Sequence, residues 1–398
     1  MRTGIFRNRR QAPDFESREG APRRGALSSH VVAYCDEHKP LVAELARHLW
    51  SPDLGLNERY LDWKYRRNPY IRDPLIYLAF VGDKLAGMRG AFGSLWEVGD
   101  PVEVFALPYA DDLVIDPAFR QQGLHRVIMN FALRDLARRG YRYVVNLSAG
   151  RVTARASRNM QWRDAGRVRA LYRRTLRKTA ADFLVDRARP LPLLWRWADK
   201  LSALSGRSGD HLFDRLDTRF SSTDRRPDDG SPFVRRTPLI REMSRLVARL
   251  PRDGRIRHVR DETFFAWRFG NPLYDYRFLY LGRERLRGYV VLQRSLFFTG
   301  DRASIVDWEA ESDPVRAELL AAVIEHGRFP ELCTWQLGAS SAAARLANQH
   351  GFKPLDRYYE KSVLVRPASD DRLDAPWMLG GCRLDEAGQW DLRMLYAM

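Results

Sequence analysis

The 398-residue chain contains one pattern twice, and that repetition limits its possible folds more than any other feature. Residues 41–90 read LVAELARHLW, then ERYLDWKYRRNPY, then LIYLAFVGDKLAGMRG. Residues 243–292 read MSRLVARL, then DETFFAWRFGNPLY, then FLYLGRERLRGYVVL. In both, apolar residues at helical spacing come first, since they leave one buried stripe. An aromatic Trp-[Lys/Arg]-[Tyr/Phe] cluster follows and closes on Asn68-Pro69 or Asn271-Pro272, because a residue before proline avoids the helical region. A strand, a turn (Gly82-Asp83-Lys84 or Gly282-Arg283-Glu284) and a second strand complete each copy. A self-similar chain of this length points to two structural units rather than one large core.

The correspondence runs on. Strand LPYADDLVI (107–115) matches ASIVDWEA (303–310), and helix HRVIMNFALRDLARRG matches PVRAELLAAVIEHGR. Strand YRYVVNLSAG matches ELCTWQLGAS, and a final helix TARASRNMQWRDAG matches SSAAARLANQHGFKP. The expected fold is therefore α+β, with two tandem units that each place a mixed, mostly antiparallel sheet among helices. The expected division is a mobile basic tail over 1–29, a first domain over 30–180, a linker over 181–235 and a second domain over 236–398. The apolar stretch around Leu191–Trp197 in that linker reads either as a helix covering exposed core or as a membrane-surface segment. Trp63 and Trp267 recur at the same place in both copies, which favours a shared packing role over a ligand-stacking one.

With a hydrophobic fraction of 45% the chain can fill real cores. Its formal charge of +17 suits an anionic partner: nucleic acid, anionic lipid, an acidic carrier protein or a polyphosphate-bearing cofactor. The arginines are scattered rather than blocked, so composition alone does not choose among these. Cys35, Cys333 and Cys382 form neither a disulfide framework nor a zinc spacing, and suit a reducing cytoplasm. The sequence holds no apolar run of the ~20 residues that a membrane span requires. Its N-terminal charges are not followed by the apolar core of a secretory signal. Helix-turn-helix and zinc signatures of specific DNA binding are missing.

The sharpest local signal is LVIDPAFRQQGLHRVIMNFAL, residues 113–133. It reads as strand, Asp-Pro turn, arginine-rich loop with one glycine, and amphipathic helix. A loop entering a helix exposes unpaired N–H groups at the positive end of the helix dipole, which is a place for phosphate. Arg120 and Arg126 add charge there, and Gly123 lets the backbone approach an anion closely.

On Arg120-Gln121-Gln122-Gly123-Leu124-His125, following Ile115-Asp116-Pro117, the sequence resembles the GNAT acetyltransferase superfamily, whose pyrophosphate loop reads [RQ]-x-x-G-x-[GA]. His125 stands where the family has a small residue. The likeness covers about residues 30–170, and the duplicated arrangement resembles tandem GNAT proteins of bacteria. It implies that acetyl-CoA or another acyl-CoA enters a V-shaped opening between strands LPYADDLVI and YVVNLSAG. Backbone groups of Leu113, Val114 and Ile115 would meet the pantetheine amides. The loop from Arg120 and Gln121 through Gln122, Gly123, Leu124 and His125 to Arg126 would hold the pyrophosphate. Asn146, Ser148 and Asn159 are further candidates along the same arm.

Acyl transfer to an amine needs a base, a place for the oxyanion and an acid for the thiolate. The resemblance implies a carboxylate near the central strands as base, which offers Asp111, Asp112 and Glu103. Strand alternation puts only one of Asp111 and Asp112 on the cleft face, with Asp112 the first choice. The family's acid is a tyrosine on the last helix, where Ser157–Trp162 has none; Tyr109 or His125 could substitute. The second copy lacks the loop: AESDPVRAEL replaces it, so CoA is not expected there, although Asp307 and Glu309 could still reach a basic acceptor. The leading expectation is a metal-free N-acyltransferase acting on an amino sugar, amino acid, peptide or small amine. Two alternatives stay open: a tandem GNAT peptidyltransferase drawing on aminoacyl-tRNA, and a non-catalytic module that holds CoA or an acidic partner.

Overall fold

The computed structural model describes residues 29–180, 211–220, 226–296, 302–335, 341–354 and 361–396. The N-terminal tail and the stretch around Leu191–Trp197 lie outside the described residues.

The first half contributes β1 (Ser29–Ala33), α1 (Lys39–Leu45), α2 (Leu54–Leu61), β2 (Leu75–Val81), β3 (Lys84–Val98), β4 (Glu103–Ile115), α3 (Leu124–Arg138), β5 (Tyr143–Ala149), α4 (Arg151–Arg158), β6 (Arg163–Val168) and β7 (Ala170–Arg174). The second contributes α5 (Asp214–Arg219), β8 (Phe233–Arg235), α6 (Ile240–Arg249), β9 (Ile256–His258), α7 (Glu262–Arg268), β10 (Tyr274–Leu281), β11 (Gly288–Ser295), β12 (Arg302–Ala310), α8 (Asp313–Gly327), β13 (Glu331–Trp335), α9 (Ser341–Gln349), β14 (Lys353–Pro354) and β15 (Lys361–Pro367). A C-terminal segment adds the hairpin β16 (Met378–Leu379) and β17 (Cys382–Arg383), then β18 (Trp390–Asp391). The fold is α+β and built twice, as the repeat requires. Two details differ from the sequence reading. α1 stops at Leu45 and continues as a 3-10 turn, and α4 ends at Arg158, so that Arg163–Val168 is a strand.

The sheets are not made half by half. The first runs β1-β2-β3-β4-β5-β15-β6, and the second runs β14-β7-β13-β12-β11-β10-β8. Thus β15, from the end of the chain, enters the first sheet between β5 and β6, while β7 enters the second between β13 and β14. The cause is local. Only Arg169 separates β6 from β7, too little chain for a hairpin, so the backbone runs straight on into the other sheet.

The halves also share a core. One apolar cluster joins α1, α2 and β3 of the first half to α6, α7 and β10 of the second. At its centre the Trp63 and Trp267 rings stack 4.9 Å apart and within 9° of parallel. Each indole N–H donates to the other residue's carbonyl oxygen, at 2.6 Å from Trp63 and 2.8 Å from Trp267. The two Asn-Pro corners are built alike: Asn68 Oδ1 accepts from the amides of Tyr70 and Ile71, and Asn271 Oδ1 from that of Leu273. The outer face of the first sheet is covered by α3 and α4, that of the second by α5, α8 and α9.

Candidate functional site

The loop between β4 and α3 is shaped for an anion. Asp116 caps a short 3-10 turn, Arg120 is extended, and then Gln121 (φ 65°) and Gly123 (φ 74°) both take left-handed conformations. A Cβ on Gly123 would meet nothing within 4 Å, so glycine is needed there for its backbone and not for space. Alternating left-handed residues turn successive N–H groups to one side, forming a nest for negative charge. Among the described residues, the amides of Gln121, Gln122, Gly123, Leu124 and His125 find no backbone acceptor, and α3 begins without a side-chain cap. The 15-residue helix behind them supplies the dipole. Arg120 and Arg126 are exposed, with Arg120 Nε donating to the Ile115 carbonyl at 3.2 Å. His125 is half-buried, and burial together with Arg126 lowers its pKa.

Beside the loop, β4 and β5 part. Their parallel pairing is the single rung Tyr109↔Val145, after which β4 continues to Ile115 and β5 to Ala149. The strand edge of Leu113, Val114 and Ile115 therefore borders a V. At its apex the Tyr109 hydroxyl lies 3.0 Å from Ser148 Oγ, and burial pushes the phenol's pKa up. Asn146 is buried on β5, its Oδ1 accepting from the Ser148 amide at 3.1 Å. Asn159 is exposed at the C-terminal cap of α4, the end far from where that helix leaves β5.

The carboxylates are arranged differently from the alternation argument. β4 bulges against β3 between Met88 and Gly90, and Asp112 takes φ 49°. The bulge cancels the alternation, and Asp111 and Asp112 reach the same cation. That cation is Lys64, whose side chain is wholly buried, with Nζ 2.8 Å from Asp111 Oδ2 and 2.7 Å from Asp112 Oδ2. Asp112 is fully engaged: Oδ2 also accepts from the Tyr65 hydroxyl at 2.6 Å, and Oδ1 from Trp50 Nε1 at 2.9 Å. Burial works against the Lys64 ammonium, but the two carboxylates outweigh it and hold its pKa well above the ordinary value. The backbone widens into a π-turn over Asp62–Arg66, which turns Trp63, Lys64 and Tyr65 inward together. Gly90 makes room, since a Cβ there would lie 1.9 Å from the Tyr65 hydroxyl. Asp111, with its side chain 18% exposed, is the carboxylate nearest solvent. Glu103 lies at the far end of β4, about 27 Å from Asp111 at the rise of a strand. The structure does not bring it to the others.

The sequence reading missed Lys64. Its signal was a lysine inside an aromatic cluster, in a π-turn that helical periodicity cannot foresee.

The second unit is closed where the first is open. In place of the nest, Ser312 leads into Asp313 at the start of α8, and Glu311 pairs with Arg285 and Arg287. Asp307 and Glu309 are not free for an acceptor. Arg260 bridges both, at 3.0 and 2.7 Å, and Glu309 also holds Arg393 at 3.0 Å. The hollow between β12 and β13 is only about 30 Å³ and is capped by Leu392, Arg393 and Met394 of the chain's own C-terminal segment. Among the described residues no group of His, Cys, Asp and Glu is arranged to hold a metal, and no helix is long and apolar enough to cross a membrane.

No family model matches the sequence, and no curated protein matches it either. Solved structures do match in shape. A GCN5-related N-acetyltransferase of Anabaena variabilis superposes with a TM-score of 0.54 at 12% identity, over 86% of this chain and 73% of that one. The fold is the GNAT fold, in two tandem units. A probable N-acyltransferase of Enterococcus faecalis is similar at a TM-score of 0.52 and 11% identity, with the same coverage of both chains. A GCN5-related N-acetyltransferase of Kribbella flavida is similar at 0.51 and 13%, over 88% of this chain and 73% of the other. Among the described residues the nest belongs to the first unit; β12 and β13 of the second also part after Ser304 and Cys333, but Leu392, Arg393 and Met394 line the hollow between them.

Proposed function

We propose that the protein is an acyl-CoA-dependent N-acyltransferase whose first unit binds the donor and performs the transfer. The observation that carries this reading is the nest of unpaired amides at Gln121–His125 beside parted strands, on a fold that acetyltransferases use. Phosphates accept hydrogen bonds and carry charge, so amides, helix dipole, Arg120 and Arg126 suit the pyrophosphate of CoA. The free edge of Leu113, Val114 and Ile115 offers the pantetheine amides a strand to pair with.

In the transfer, an amine nitrogen attacks the thioester carbonyl carbon. A C–N bond forms, the C–S bond breaks, the nitrogen loses a proton and the thiolate gains one. Asp111 is the carboxylate we assign as base, because it alone of the Lys64 cluster is partly open to solvent. Asp112, with three donors on it, positions Lys64 and the bulge. The Tyr109 phenol, kept protonated by burial, is the group we assign to hydrogen-bond the departing sulfur at the apex, and the thiolate takes its proton from solvent or from the protonated Asp111.

The test is calorimetric titration of acetyl-CoA into wild-type protein and an Arg120→Glu, Gly123→Glu double variant. Binding on the order of micromolar by the wild type, lost in the variant, is expected. A folded wild type that binds no acyl-CoA would overturn the reading.

A further inference from the structure

Six arginines are buried in the described structure: Arg89, Arg257, Arg260, Arg268, Arg277 and Arg366. A buried guanidinium is costly unless an anion or a full set of acceptors replaces its water. Arg257, Arg260, Arg277 and Arg366 each have a carboxylate, from Glu97, from Asp307 and Glu309, from Asp217 and Asp275, and from Asp370. Arg268 has none, but all three of its nitrogens are used, by the Leu395 carbonyl, the Tyr276 hydroxyl and Gln293 Oε1.

Arg89 differs from all of these. It is 4% exposed and no carboxylate lies within ion-pair distance of it among the described residues; burial lowers its pKa, with Asp111 and Asp112 further off opposing this only in part. Its one hydrogen bond runs from Nη2 to the Ala110 carbonyl at 3.2 Å, and its Nε is buried with no acceptor. Its position gives this deficit a meaning. Arg89 is on β3 opposite the β4 bulge, and Ala110 follows Tyr109, the last residue of β4 paired with β5. The unsatisfied guanidinium therefore sits where the V opens. From Ala110 to Ile115, at the edge of the anion nest, the strand spans about 17 Å. An extended pantetheine arm is of comparable length, so phosphates held at Gln121–His125 leave the acyl end of the donor at Arg89. The group that meets this arginine is the acyl chain.

We propose that Arg89 is a specificity residue that selects an acyl donor whose acyl group ends in a carboxylate. A carboxylate matches the fork of a guanidinium two bonds at a time, and would supply the anion and acceptors that Arg89 lacks. An acetyl group leaves the guanidinium's Nε without an acceptor, and that mismatch is the source of discrimination. This proposal rests on the reading of the first unit as a CoA site.

The experiment compares CoA, acetyl-CoA and succinyl-CoA by calorimetry, and turnover of both donors, in the wild type, Arg89→Lys and Arg89→Met, with thermal melts to verify folding. The expected result is that the wild type favours succinyl-CoA by at least about tenfold over acetyl-CoA. The ratio is expected to fall partway in Arg89→Lys and to about one in Arg89→Met. Equal affinity of the wild type for the two donors would overturn the proposal even if neither variant folds. So would an equal loss of turnover with both donors in Arg89→Met, which would make Arg89 an oxyanion contact instead. Failure of the wild type to bind CoA itself would strike at the donor site, and is distinguishable because the first two results presuppose that CoA binds.

Discussion

Where the central strand ends, the two units part company. The first turns through left-handed Gln121 and Gly123 into an uncapped helix, leaving amides exposed. The second turns through Ser312 into a proline-started helix with Asp313 in its first turn, and Arg285 and Arg287 neutralise Glu311. The same contrast holds one layer deeper. Asp111 and Asp112 share one lysine and stay close to an opening, whereas Asp307 and Glu309 are locked among Arg260 and Arg393 under the chain's own C-terminal segment. Two copies of a skeleton thus differ in chemistry through a handful of loop and strand residues, while the Trp63–Trp267 stack and both Asn-Pro corners keep the skeleton itself the same.

The comparison breaks most completely if either unit is asked to stand alone. Residues 29–180 and 211–396, produced separately, are expected to lack cooperative unfolding in circular dichroism, because each sheet loses the inner strand that the other half supplies. Mixing the two is expected to restore one transition. A smaller effect sharpens the contrast between the charge clusters. Lys64→Met leaves Asp112 buried without its cation, and urea unfolding should show a loss of about 3–5 kcal/mol.

Acid should weaken the second unit through Glu309. Burial would raise the Glu309 pKa, but Arg393 and Arg260 outweigh it and hold the carboxyl down at about 2. A depressed carboxyl contributes stability that is complete above its unfolded value of about 4.3 and fades as pH falls toward 2. Glu309→Gln should therefore flatten stability between those limits, by roughly 2–3 kcal/mol of lost pH dependence. The carboxylates of the first unit should separate from one another, with Glu103 giving the smallest effect. Asp111→Asn should reduce kcat by about 100-fold with KM little changed. Glu103→Gln, far along the strand, should leave rates and stability within about 0.5 kcal/mol of wild type.

Much of this was legible in the sequence. The twofold pattern predicted the twin units and the Trp pair as packing, and the run at Arg120–Arg126 read as a loop entering a helix, because each rests on local spacing. The exchange of β7 and β15 was not legible, since a strand's periodicity says which face is buried but not which sheet it joins. Alternation misjudged Asp111 and Asp112 because one left-handed residue at a bulge breaks the period of two. Arg89 passed unnoticed as a charged residue in a strand between glycines; only its missing partners make it conspicuous.

The exchanged strands carry one further implication. Physically, the chain is arranged like a domain-swapped dimer joined end to end, with the stacked indoles packed in the core its halves share. A true homodimer must carry every substitution twice. A single polypeptide escapes that constraint, so one copy can keep a glycine nest for a ligand while the other carries acids and arginines that close it, and neither can be lost without unravelling its partner.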